Sequence, residues 1–131
     1  MEFVVAASSG SVPSPQRVSA GDERRISATL HLLERYFYEA IDLDHLAKVA
    51  AMSKYHFLRT FRRIVGVTPY QYLLGIRLRQ AALGLATSSK PISAVAFEMG
   101  FGDLSTFNER FRFQFGTSPS RYRERLLKRR A

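Results

Sequence analysis

Apolar residues return along this chain at intervals of three and four, the spacing that places them on one face of an α-helix. Ile26, Leu30, Leu33 and Phe37 form the first such stripe and predict a helix over about residues 24–39. Asp42 then stands where an N-cap belongs. Ile41 before it and Leu46 after it have the spacing of a hydrophobic staple, so a second helix is predicted over about 43–51. Its Ala47 and Ala50 are small enough to let another helix come close. Ser53 caps a third helix, about 54–65, whose Phe57, Phe61, Ile64 and Val65 share one face while Tyr55, Arg59, Arg62 and Arg63 share the other. Gly66 is a natural stop. Thr68 and Pro69, as cap and first-turn proline, open a long fourth helix over about 69–87. Its interior reads as Tyr72, Leu73, Ile76, Leu83 and Leu85, with Arg77 and Arg79 outside.

The pattern then starts again. Pro91 introduces a short helix with Ile92, Val95, Ala96 and Met99, closed by Gly100, and Gly102-Asp103 make a turn. A sixth helix over about 104–115 turns Phe107, Phe111 and Phe115 inward and Ser105, Glu109, Arg112 and Phe113 outward. Gly116 ends it, and Ser118-Pro119 start a last, arginine-rich helix that runs to about 128. Phe57, Phe61, Gly66, Pro69 and Tyr72 thus recur fifty residues on as Phe107, Phe111, Gly116, Pro119 and Tyr122. Upstream, Leu46-Ala47 and Val95-Ala96 match at an offset of forty-nine, so the second copy has gained one residue between Ala96 and Phe107. A repeat of this length is one supersecondary unit used twice. The expected fold is all-α, with seven helices in two helix-turn-helix lobes (about 24–67 and 90–128) joined by a long central helix over about 68–87. In such a unit the second helix presents side chains to base edges in the major groove.

Charge sharpens this picture. Residues 1–44 carry four basic and seven acidic side chains, whereas residues 45–131 carry sixteen basic and four acidic ones. Between His45 and Phe97 there are eight Lys or Arg and no acid at all. A field so one-sided favours a polyanion, either nucleic acid or an anionic surface, because a surface that only confers solubility mixes both signs. The asymmetry follows the repeat. Residues 1–22, rich in Ser, Pro and Gly, read as an arm or linker.

Other chemistries find little support. The chain has no cysteine, and His31, His45 and His56 lie on different predicted helices, so neither disulfides nor a metal site is expected. No Gly-rich phosphate loop and no Ser-His-Asp arrangement can be assembled, so no catalysis and no cofactor are expected. The apolar stretch from Phe3 to Ala7 is too short to span a membrane and lacks a basic leader, which points to a cytoplasmic protein.

From about residue 25 to residue 130 the chain resembles the DNA-binding domain of the AraC/XylS (arabinose-regulator) family of bacterial transcription factors. Residues 92–123 carry the densest likeness: Gly100-Phe101, Phe107, Phe111, Phe115-Gly116, Pro119 and Tyr122-Arg123 agree with that family's signature. The resemblance implies two recognition helices entering successive major-groove segments about 34 Å apart on one DNA face. A single chain can then do what simpler factors do as dimers. It also implies a transcriptional regulator, an activator that contacts RNA polymerase. Carried over by position, base contact falls to Tyr55, Leu58 and Arg59 in the first lobe. In the second it falls to Ser105, Thr106, Asn108 and Glu109, with Leu104 nearby. Lys54, Arg62, Arg63 and Arg112 are assigned to phosphates.

Four positions depart from the family pattern. Leu58 replaces a polar reader, and Glu109 stands where some members carry arginine. Phe113 is an apolar residue on an outward face, and Ala51 occupies the turn position that matches Gly100. Asp103 reads as a cap, and Glu109 has Arg110 and Arg112 within reach as ion-pair partners. Three function classes compete: a sequence-specific regulator, a non-specific binder of nucleic acid or anionic membrane, and a helical module that docks on protein. The regulator could be a whole protein or the DNA-binding part of a longer, ligand-sensing one.

Overall fold

The computed structural model of this chain describes residues 18–130, and among them the secondary structure is helical throughout. In order it forms α1 (Ala20–Tyr36), α2 (Leu43–Val49), α3 (Lys54–Val65), α4 (Pro69–Thr87), α5 (Ile92–Glu98), α6 (Leu104–Phe115) and α7 (Pro119–Arg130). Most of the predicted Ser/Pro-rich arm, residues 1–17, lies outside the described residues. The bounds of α3, α4 and α6 are those the sequence predicts. Helix α1 starts about a turn earlier than predicted because Ser19 is its cap: its hydroxyl accepts from the Asp22 N–H at 3.0 Å. Asp22 and Glu23 in the first turn then complement the helix dipole.

The chain divides into two compact units, and the division falls inside α4. Among the described residues the first unit comprises those up to Tyr36 together with Ile41–Leu73. Here α1 contributes Ile26, Leu30 and Leu33, α2 contributes Leu46 and Ala47, and α3 contributes Phe57, Phe61, Ile64 and Val65, all buried. Thr29, fully buried among them, donates its hydroxyl to the Ile26 carbonyl and so leaves no orphan polar group. Tyr72 closes the core: its ring meets Phe61 edge-on at 6.0 Å and its hydroxyl donates to the Glu34 carboxylate.

The second unit comprises Phe37–Ala40 and the described residues from Leu74 onward. Leu78, Ala81, Ala82 and Leu85 of α4 repeat the i, i+3, i+4, i+7 spacing of Ile26, Thr29, Leu30 and Leu33, and all are buried. They pack with Val95, Ala96, Phe101, Phe107 and Phe111. The aromatic series is reproduced too. Phe57 and Phe61 lie 5.6 Å apart, as do Phe107 and Phe111, and Tyr122 meets Phe111 edge-on as Tyr72 meets Phe61. Truncating any of these four fully buried phenylalanines to alanine removes a ring and leaves a void, at a cost of about 3–5 kcal/mol.

Two expectations about α4 fail. Leu83 is 56% exposed and not interior. Arg77 is half-buried: its Nε donates to the Phe37 carbonyl at 2.6 Å and its Nη2 to the Glu39 carbonyl at 2.9 Å. Arg123 does the equivalent work elsewhere, donating to the carbonyls of Leu85 at 3.1 Å and Lys90 at 2.7 Å. Each arginine ties together backbone carbonyls near a helix end. Neither role is visible in spacing, because the groups are joined only by the fold.

Candidate nucleic-acid interface

Each unit contains the same short helix, turn and longer helix. In the first, α2 ends in a two-bond Schellman turn: Ala51 N–H donates to the Lys48 carbonyl and Met52 N–H to that of Ala47, both at 3.0 Å. In the second, Gly100 N–H donates to Phe97 and Phe101 N–H to Ala96, both at 3.1 Å. The two turns match at an offset of forty-nine through Met52 and Phe101, whereas the next caps, Ser53 and Asp103, match at fifty. Gly102 is therefore the inserted residue, and a Cβ placed there would meet nothing within 4 Å. The left-handed position is Ala51, at φ +55°, in one turn and Gly100, at φ +102°, in the other. Helix α2 consequently stops two residues short of its predicted end.

Helices α3 and α6 begin and end alike. Ser53 accepts from the His56 N–H at 3.1 Å, and Asp103 accepts from the Thr106 N–H at 2.7 Å. Gly66 at φ 92° and Gly116 at φ 75° close them, each donating its N–H to the Arg four residues back. Thr68 and Gln71 then exchange backbone and side-chain bonds at the start of α4, and Ser118 caps α7 by accepting from the Arg121 N–H.

With the inner face sunk in the core, the outer face is fixed. On α3, Tyr55 is 70% exposed, and the Arg59 guanidinium lies 5.4 Å from its ring centroid in a cation–π contact. Arg62 is exposed and Arg63 is half-buried. Lys54, at the start of the helix, pairs with Asp44 at 3.2 Å; both are largely exposed, so the pair adds little stability. Leu58 sits at the edge of this face. It lines an apolar hollow of about 230 Å³ with Leu33, Ile41, Leu46, Pro69 and Tyr70, so its side chain is shared between surface and interior.

On α6, Ser105, Asn108, Glu109 and Arg112 are exposed and line one open groove with Ser118, the cap of α7, and Ser120. Thr106 is half-buried, and its hydroxyl donates to the second oxygen of the capping Asp103 at 3.1 Å. Among the described residues ion pairs join Arg25 to Asp22, Lys54 to Asp44 and Lys90 to Glu98, and none of these involves Glu109. The structure thus brings Tyr55, Arg59 and Arg62 together on one helix and Ser105, Asn108, Glu109 and Arg112 on another. It sets Leu58 and Thr106 partly aside. Sequence reading missed the Tyr55–Arg59 stack, although an aromatic and an arginine four apart on an outward helix face are its signal. It also missed Ser118 and Ser120, which spacing along α6 cannot reveal.

No group of His, Asp or Glu among the described residues could hold a metal ion, and no helix among them is long and apolar enough to cross a membrane. Residues 46–125 match the helix-turn-helix domain family. The chain is 37% identical over 90 residues to LumQ, a probable transcriptional regulator of Photobacterium leiognathi, covering 69% of this chain and 36% of that protein's length. It is 32% identical over 101 residues to the regulatory protein SoxS of Salmonella typhimurium, covering 77% of this chain and 94% of SoxS. Among solved structures, the DNA-binding domain of the global transcriptional factor AdpA, in complex with a target DNA, is similar with a TM-score of 0.77 and 33% identity over 81% of this chain and 96% of that one. An AraC-type regulator from Chromobacterium violaceum matches with a TM-score of 0.73 and 26% identity, over 82% of this chain and 96% of that one.

Proposed function

This chain belongs to the AraC/XylS family of helix-turn-helix DNA-binding proteins, and from that premise we propose how it reads DNA. It is a sequence-specific regulator of transcription whose partner is double-stranded DNA, and the family it belongs to is regulatory and not enzymatic. In the proposed mechanism α3 and α6 each enter a major-groove segment. The observation that carries this reading is the pair of like-built helices with unlike outer faces. The caps, turns and ring contacts repeat, while Tyr55, Arg59 and Arg63 in one copy become Ser105, Glu109 and Phe113 in the other.

Arg59 is assigned to guanine, whose O6 and N7 accept both arms of a guanidinium. Tyr55 holds that guanidinium and borders the same base. Leu58 offers an edge contact to a thymine methyl. In the second lobe Ser105 and Asn108 donate to base edges, Thr106 supports them from the cap, and Glu109 accepts from cytosine N4. Lys54, Arg62, Arg63 and Arg112 meet phosphates, fixing register without reading sequence. The chain binds its site as a monomer, acts on the chromosome in the cytoplasm and activates through contact with RNA polymerase.

The test is selection of duplexes from a random pool, followed by competition at matched salt. A selected duplex should outcompete random DNA by about 10³-fold or more. Equal competition would assign binding to charge alone, and Arg59→Ala with full affinity would assign α3 to some other surface.

A further inference from the structure

Phe113 is the least accountable side chain on α6. It is 84% exposed, the highest value among the exposed large apolar residues, and the core of its own lobe is closed without it. At the equivalent position fifty residues earlier stands Arg63, a cation of the kind that meets phosphate. None of the described ring or cation–π contacts involves Phe113. The next residue on its side of the helix is Gly116, which has no side chain, and a Cβ built there would meet nothing within 4 Å. The ring therefore stands clear on the outward side of α6. Glu109 lies one turn before it, and Ser105 one turn before that, about 12 Å along the axis from Phe113.

We propose that Phe113 is a specificity-determining residue that packs on the C5-methyl group of a thymine at the edge of the second lobe's half-site. The inference rests on the DNA-reading function proposed for α6. A bare ring cannot hydrogen-bond a base edge or neutralise phosphate, so its gain on binding comes from burying apolar area. In the major groove the apolar feature of a base pair is the thymine methyl, which phenylalanine is able to cover. The position supports this occupant over another, since the ring continues the row begun by Ser105 and Glu109 on the face that meets DNA. Phe113 supplies the lobe with a favourable contact that Glu109, a carboxylate among phosphates, does not supply except opposite cytosine.

The experiment uses the whole 131-residue chain and its selected duplex, with each thymine replaced in turn by deoxyuridine, which removes only the methyl group. For the unaltered protein, one substitution in the α6 half-site should weaken binding about fourfold, the worth of one buried methyl group. Phe113→Ala should weaken the intact duplex by a similar factor and become indifferent to that methyl, and Phe113→Leu should recover part of both effects. Unchanged helicity by circular dichroism is expected, because the ring contributes nothing to the core. Equal loss at every deoxyuridine in both proteins, or full affinity of Phe113→Ala, overturns the inference. Both of those outcomes leave the DNA-reading function standing. A pool that yields no preferred duplex overturns that function and this inference with it.

Discussion

Arg59 and Tyr55 show how two side chains on one exposed helix face act as a unit. An arginine in solution moves among many rotamers, and the bidentate guanine contact proposed for Arg59 has to freeze it. The Tyr55 ring, 5.4 Å below the guanidinium, removes part of that freedom before DNA arrives. Arg59→Ala should therefore cost about 1–3 kcal/mol of binding and relax preference at one base pair. Tyr55→Ala should cost about 0.5–1 kcal/mol, the worth of an exposed cation–π pair, and almost nothing further once Arg59 is gone. Tyr55→Phe keeps the ring and should keep the affinity. Titration of the four proteins by fluorescence anisotropy closes this cycle. Strict additivity would separate the two residues and leave Tyr55 as a base contact in its own right. The roles of Tyr55 and Arg59 as outward residues were legible from sequence because period 3.6 fixes the face. Their coupling was not spelled out, since the same spacing is equally compatible with two separate contacts.

At the scale of elements, what was legible was local. Ser53, Asp42, Asp103 and Thr68 cap the helices they were expected to cap because a cap involves residues only three apart. The single inserted residue was also detectable, as a change of offset from forty-nine to fifty, and the backbone bonds identify it as Gly102. What escaped was set by tertiary context. Arg77 was placed outside α4, yet it reaches carbonyls about forty residues earlier in the chain. Leu83 continued a stripe on paper, but among the described residues it stands largely exposed. The twin turns give a prediction with opposite signs. Ala51 holds φ +55°, a conformation that costs an L-residue about 1 kcal/mol. Ala51→Gly should therefore stabilise the protein slightly, by up to about 0.5 kcal/mol after the added freedom of the unfolded chain is set against it. Gly100 sits at φ +102°, and a Cβ there would come within 2.7 Å of the Arg77 Nε and 3.0 Å of the Phe37 carbonyl oxygen. Gly100→Ala should destabilise by about 2–3 kcal/mol, because strain is joined by displacement of Arg77 from its carbonyls. Urea denaturation of the two variants decides the matter, and equal effects would mean that the two turns do not differ as described.

For the whole molecule the governing quantity is charge, and the count in the sequence overstates what is available to DNA. The net charge is +9, but Arg77 and Arg123 are turned onto backbone carbonyls, and Lys54 and Lys90 rest on carboxylates. Four cations, Lys54, Arg62, Arg63 and Arg112, are assigned to phosphates, and Lys54 must leave Asp44 to serve. Counterion release then predicts that the logarithm of affinity falls against the logarithm of salt with a slope of about −4, close to 0.9 for each contact. Arg62→Ala and Arg112→Ala should each lower the slope by about 1 and weaken all sequences alike, leaving the ranking of sites intact. Glu109→Gln should do the reverse: it removes a repulsion from every phosphate, so binding to random DNA tightens while discrimination at one cytosine falls. Affinities measured across a salt series for the unaltered protein and these three variants test the assignment together. A slope near −10 would mean that the basic surface binds as a whole, in which case the arginines of α7 belong to the interface and the four-contact assignment is wrong.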